Sequence, residues 1–168
     1  CDDNLEAFYL LGDFGVAANK KRSSITAVSE PCVGDWRNVG MPFYGGPVAY
    51  RFKTGICVKK GERVFIEAPD FKGATVRVLV NGSHAGYLSW PPYETDITAC
   101  LGNTTNEITL VVYGSRRNTF GPLHQKTLEP HGTGPGNFVT EGADWSDEYV
   151  LKPCGLLASP TLKVMVKK

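Results

Sequence analysis

The feature that most constrains this chain is an Asn81-Gly82 pair set between two runs of alternating apolar residues. Val76, Val78 and Val80 alternate with Thr75, Arg77 and Leu79, the two-residue period that turns one apolar face of a strand toward a core. Asn-Gly accepts the positive φ angles of a two-residue hairpin turn, so residues 84–88 are predicted to return as the paired strand. Pro91-Pro92 then interrupts regular pairing, and residues 93–98 lead into a turn at Gly102-Asn103. Ile108, Leu110 and Val112 alternate with Thr109, Val111 and Tyr113, which predicts a second strong strand.

Further strands are predicted at residues 5–11, 48–52, 62–68, 148–151 and 162–166, with a short edge strand at 23–28; in the last of the set Leu162, Val164 and Val166 share a face. About eight to ten strands at this spacing read as a sandwich. No stretch sustains a 3.6-residue apolar period, so little helix is expected, and the 19 Gly and 11 Pro supply turns. At 168 residues the chain reads as a single domain, residues 1–168, since two domains would each be small. Gly12-Asp13-Phe14-Gly15 breaks the first strand; the glycine-rich loop and strand lysine that would make Asp-Phe-Gly a kinase signature do not accompany it.

The order of these pieces carries a resemblance. A strand ending in Val80-Asn81-Gly82, a short return through Gly86 and Leu88, the segment Pro92-Tyr93-Glu94-Thr95-Asp96-Ile97-Thr98 and the strand beginning Asn106-Glu107-Ile108 together resemble the sugar-binding jelly-roll domain of family 2 glycoside hydrolases. More broadly the pattern is similar to galactose-binding-like β-sandwiches. The resemblance implies an all-β, galactose-binding-like jelly-roll β-sandwich with long connecting loops, serving as a non-catalytic accessory domain of a larger bacterial enzyme. Its partners would be a carbohydrate and the catalytic domain of the same parent chain. The chain starts at Cys1 without an initiator Met, which reads as a piece cut from a longer protein and leaves its compartment open.

Charge and composition narrow the function classes. With 18 basic and 17 acidic residues the net charge is +1, which offers no electrostatic case for nucleic acid. Apolar runs stop far short of the roughly 20 residues a membrane-spanning helix needs, so no membrane partner is expected. Cys1, Cys32, Cys57, Cys100 and Cys154 cannot all pair internally and show no Cys-x-x-Cys spacing, so they read as free, mostly buried thiols. That favours a reducing compartment, although a fragment of an exported protein would look the same. His84, His124 and His131 lack metal-ligand spacing, and no cofactor is expected. A structural calcium stays open, because loop oxygens bind it without a linear motif.

Hydrolysis of a glycosidic bond needs two carboxylates across the bond, and no motif singles out a pair; a Gly-x-Ser-x-Gly elbow is also missing. Sugar binding needs less: an aromatic face for the ring and planar polar groups for hydroxyls. Trp90 and Tyr93 follow the hairpin, and residues 114–147 form a long aperiodic run holding Arg117, Asn118, His124 and Trp145. Such runs in a compact domain are usually functional or disordered, and the aromatics here argue for packing. These six are the candidate ligand-binding residues. Each also has a structural reading: Trp90 as a plug beside the prolines, Trp145 as a latch on the loop, Arg117, Asn118 and His124 as a network tying the loop to the sheet. Asp35-Trp36-Arg37-Asn38 with Phe43 and Tyr44 form another cluster, readable as a surface packed against a neighbouring domain. Asn81-Gly82-Ser83 and Asn103-Thr104-Thr105 match the glycosylation acceptor pattern, but serve equally as turns.

Overall fold

A computed structural model describes residues 9–18, 22–30, 32–127 and 132–166, among which eleven strands form. β1 (Gly15–Ala18) and β2 (Ser23–Thr26) pair only with each other; β3 (Pro47–Thr54), β4 (Glu62–Glu67), β5 (Phe71–Lys72), β6 (Thr75–Val80), β7 (Ser83–Leu88), β8 (Glu94–Asp96) and β9 (Asn106–Tyr113) follow. After the long run come β10 (Gly155–Leu156) and β11 (Thr161–Val166). The larger sheet has the order β3-β9-β6-β7 and the smaller β11-β4-β8, all antiparallel, with β5 and β10 a short ladder of their own. The one α-helix among the described residues, α1 (Arg117–Phe120), is a single turn. No helix there is long and apolar enough to cross a membrane.

The alternation read from the sequence is the alternation of burial. Val76, Val78 and Val80 of β6 and Leu110 and Val112 of β9 have no exposed surface, and they meet Val64 and Ile66 of β4 in one core between the sheets. Each such side chain contributes about 1.5–3 kcal/mol by leaving water. The fold is therefore an all-β sandwich.

Asn81 (φ 51°) and Gly82 (φ 80°) both take positive φ, so the predicted two-residue turn joins β6 to β7. Val78 pairs with Gly86 and Leu79 with His84, leaving Ala85 as a bulge. A Cβ at Gly86 would come within 2.6 Å of Thr95 Oγ1, so the bare glycine lets β8 pass close to β7. The Asn81 amide does more than turn the chain. Its Oδ1 accepts from Glu107 N–H at 3.0 Å, and its Nδ2 donates to Asn106 Oδ1 at 2.8 Å. Asn106, buried, also accepts from Gly102 N–H at 2.7 Å and donates to the carbonyls of Thr104, Gly102 and Ile56 at 3.0, 3.2 and 3.3 Å. Two side-chain amides thus satisfy the backbone at this end of the sandwich.

Three expectations need correction. Tyr9, Leu10 and Leu11 are exposed and outside any strand, the rest of that predicted strand lying outside the described residues; the first strand starts instead at Gly15. Residues 148–151 form no strand, because Val150 N–H is used by Leu123 O at 2.6 Å in a loop contact. Leu162 and Val164 pair with Ile66 and Val64 as a core face should, yet Val164 is 50% and Val166 69% exposed. The period is right, but β11 is the outermost strand of its sheet and lacks cover.

The outward face of the smaller sheet is salt-bridged. Lys163 Nζ lies 2.9 Å from Glu94 and 3.1 Å from Glu67, and Arg63 pairs with Asp96. The Thr98 hydroxyl, then its backbone N–H, then Arg63 hold the Asp96 carboxyl below its ordinary value of 3.8. A carboxyl depressed in the folded state stabilises fully above its unfolded value and loses that contribution as pH falls through the folded one. Asp96→Asn is therefore expected to lower stability at pH 7 by less than about 1 kcal/mol, the pair being exposed, and to flatten the acid limb below pH 3.8 in urea titrations. Asn106→Ala, which strands several buried backbone groups, is expected to cost about 3 kcal/mol in the same assay.

Candidate functional site

Pro47 pairs with Tyr113, so β3 begins and β9 ends at one end of the sandwich, and there residues 114–154 leave and return. The organising side chain at that end is Trp36, wholly buried rather than part of a surface cluster. Its indole N–H donates to the Tyr50 hydroxyl at 2.5 Å, and the same oxygen accepts from Leu156 N–H at 3.3 Å. Two glycines make room for the ring: a Cβ at Gly155 would lie 2.7 Å from Nε1, and one at Gly114 2.9 Å from Cζ3. Trp36 N–H bonds Cys154 O at 2.8 Å and Gly34 N–H bonds Leu156 O at 2.7 Å, lacing the connector to the returning chain.

Asp35 and Arg37 complete that lacing. The Arg37 guanidinium pairs with Asp35 through Nε at 2.8 Å and Nη2 at 2.6 Å, and Nη1 donates to Leu151 O at 2.9 Å. Burial pushes the Asp35 carboxyl up, but the hydrogen bonds from the Arg37 side chain and backbone outweigh it and hold the group below its usual value. Asp35 is thus an ionised strut. The described cysteines are free but not mostly buried as expected: Cys154 is buried, Cys100 half-buried, and Cys32 and Cys57 are exposed; burial pushes the Cys154 thiol up, so it stays protonated near neutrality.

The long run is held by side chain to backbone bonds. Asn118, buried on α1, donates to Lys152 O at 2.7 Å and accepts from Lys152 N–H at 2.9 Å, and Thr119 Oγ1 donates to Phe43 O at 2.7 Å. Gly121 lies against Arg117, with a Cβ there only 2.8 Å from Nη1. Further on, Ser146 N–H bonds His124 O at 2.7 Å, and Gln125 bridges Trp145.

Four rings run along the surface this creates. Trp145 stacks on His124 at 4.6 Å, His124 meets Tyr149 at 4.9 Å, and Tyr149 meets Phe43 edge-on at 5.1 Å. His124 Nδ1 lies 2.9 Å from Ser146 O; a carbonyl only accepts, so the proton of the neutral ring sits on Nδ1 and Nε2 presents its lone pair. Trp145 Nε1–H donates to Asp147 at 2.9 Å. Beside the rings opens a cleft of about 570 Å³ lined by Arg37, Asn38, Ser146, Glu148, Tyr149 and Leu151. Its volume lies in the range of small-molecule sites. Tyr149, 40% exposed, offers a phenol and Asn38 an amide at the cleft wall.

The six residues picked from the sequence fall in different places. His124 and Trp145 come together as one stack. Arg117 and Asn118 lie on α1, apart from the stack in sequence, with Asn118 tied to the Lys152 backbone. Trp90 and Tyr93 lie elsewhere: Trp90 is 83% exposed rather than a plug, while Tyr93 packs edge-on against Phe71 at 5.0 Å. Tyr93 lines a second cleft, of about 320 Å³, together with Ser89, Ser115, Lys152 and Cys154. Sequence reading missed Tyr149, hidden in a segment expected to be a strand. Among the described residues no three His, Cys, Asp or Glu side chains gather as a metal-ligand set.

No family model and no curated protein matches this chain. Solved structures do. A rhamnosidase from Novosphingobium sp. PP1Y covers 98% of the chain with a TM-score of 0.57 at 17% identity, and this chain spans 16% of it. A β-D-glucuronidase from Dictyoglomus thermophilum covers 94% at TM-score 0.46 and 16% identity, this chain spanning 27% of it. An FMN-binding β-glucuronidase from Facaelibacterium prausnitzii L2-6 covers 90% at TM-score 0.45 and 20% identity, this chain spanning 21% of it. The structural neighbours are glycoside hydrolases, and the chain has the fold of one small domain within such an enzyme.

The Asn118 tie makes a prediction about the loop. Asn118→Ala unpairs the Lys152 peptide groups and is expected to cost about 2 kcal/mol. Limited proteolysis should show faster cutting within residues 114–147, with the hairpin at Asn81-Gly82 unaffected.

Proposed function

We propose that this chain is a non-catalytic carbohydrate-binding domain of a larger glycoside hydrolase, with a galactose-binding-like jelly-roll topology. The observation that carries this reading is the run of rings Trp145, His124, Tyr149 and Phe43, which reaches a polar cleft through Tyr149. Aromatic faces and edges take the C–H side of a pyranose while the Tyr149 phenol, the Asn38 amide and His124 Nε2 meet hydroxyls. Arg117 and Asn118 act as struts of the loop. Among the described residues that line the cleft Glu148 is the single acid, where hydrolysis of a glycosidic bond would call for two carboxylates across the bond. The catalytic domain of the parent chain would supply the chemistry.

A purely structural, interdomain role is the second reading, favoured by the exposure of Leu10 (71%), Leu11 (84%) and Trp90 (83%), apolar surface of the kind a neighbouring domain covers. Affinity gels containing neutral β-glucans, galactans or rhamnose-bearing polymers separate the two. Retardation by one of these, weakened about tenfold or more by Trp145→Ala with the unfolding midpoint unchanged, is the expected result. Unretarded migration in every gel would overturn the binding role and leave the structural one.

A further inference from the structure

The outward face of the larger sheet carries a second surface that the loop site does not use. Strand register fixes which side chains lie side by side there. Ala49 of β3 is level with Val111 of β9, which is level with Arg77 of β6 and then Tyr87 of β7. In the next row Arg51 precedes Thr109, Leu79 and His84, and beyond it Lys53 faces Glu107. All of these positions alternate with the buried core residues, so they share the solvent side.

The rim of this face is open, with Ala49, Arg51, Lys53, His84 and Tyr87 all exposed, while Arg77, Leu79 and Val111 are half-buried and Thr109 at its centre is buried. Its cations differ from those of the opposite sheet, where Lys163 and Arg63 are each neutralised by carboxylates. Among the described residues no carboxylate pairs with Arg51, Lys53 or Arg77, and the face's own strands contribute a single acid, Glu107, at one corner. Arg77 is the telling case. Its Nε is buried without a hydrogen-bond partner among the described residues, while its terminal Nη1 and Nη2 are not among the buried unpartnered atoms and are the donors a ligand on this face would meet. Tyr87, 54% exposed, lies next to Arg77 in register and its ring tilts against His84 at 4.9 Å.

Planar guanidinium groups bind carboxylates in a fork, and a tyrosine beside them receives a sugar ring. A flat, open sheet suits an extended polymer rather than a chain end. We propose that this face binds an acidic polysaccharide, a run of carboxylate-bearing sugars, with Arg77 and Arg51 on the carboxylates and Tyr87 against a ring. It rests on the carbohydrate reading above for ligand class, and on different residues for its site.

Polygalacturonate and its methyl-esterified form share a backbone and differ in charge, so titrating the 168-residue chain with each by calorimetry isolates the carboxylate. Binding of the acid form alone is expected, weakened roughly tenfold by Arg77→Gln and by the exposed Arg51→Gln, and unchanged in Trp145→Ala. Arg77→Gln removes an unpartnered donor and should unfold no earlier than wild type. Equal affinity for both polymers, no binding of either, or wild-type affinity in both arginine variants would overturn the proposal. Equal affinity for single-stranded DNA would overturn it too, by showing charge recognition without a sugar. Loss in Trp145→Ala on the neutral gels, with the acidic polymer still bound, would separate the loop site from this one.

Discussion

The bond from the Trp36 indole to the Tyr50 hydroxyl holds together the end of this molecule that carries the long loop. Tyr50 sits in β3 of the larger sheet, Trp36 in the connector before it, and Leu156, the other donor to the same oxygen, in the chain that returns after the long loop. One phenol oxygen thus joins three segments far apart in sequence. Burying the indole contributes several kcal/mol on its own, and its N–H then has to be satisfied, since an orphaned donor in the core would cost about 1–3 kcal/mol. The ring fits only because positions 114 and 155 carry no Cβ. Everything on the loop platform, from Asn118 to Tyr149, hangs from the segments that meet at this point.

The hairpin and the core were legible because they depend on local chemistry repeated along the chain. Val76, Val78 and Val80 announce a face, Asn81-Gly82 announces the turn, and Ile108, Leu110 and Val112 announce the partner strand; each signal lies within a few residues of the structure it specifies. Trp36 gave no such signal. Its surroundings, Asp35, Arg37 and Asn38, read as surface, and what buries it is Tyr50, Gly114 and Gly155, contacts that exist only after folding. Val164 and Val166 failed in the opposite sense, since their period is that of a core strand but their place at the sheet edge decides their exposure. Periodicity specifies a face; topology decides whether anything covers it.

Charge shows the same division between sum and arrangement. A net charge of +1 excludes a strongly basic protein, yet Glu67, Glu94, Asp96 and Asp35 neutralise Lys163, Arg63 and Arg37, while among the described residues no carboxylate pairs with Arg51, Lys53 or Arg77 on another face. Pairing one sheet's charges and not the other's makes an electrically two-faced sandwich from a nearly neutral sequence. At physiological ionic strength exposed charges are felt over about 8 Å, so the pairs on one side do little to mask the cations on the other.

The loop residues show how far residue type alone leads. His124 and Trp145 were picked for ring chemistry, and rings do meet there because a stack is what aromatic side chains form when a loop is folded back on itself. Asn118 was picked for its amide, which presents a donor and an acceptor in one plane. A sugar hydroxyl can use that pair, but so can a peptide group, and Lys152 supplies one with both its N–H and its C=O in reach. In a loop without ladder hydrogen bonds the backbone must find partners among side chains, so the polar groups best shaped for a ligand are also those the fold itself recruits. Glycines mark which has happened. Gly121 against Arg117 and Gly45 against Thr119 are close approaches that leave no room for a Cβ, so the backbone of this turn packs directly on the side chains beside it.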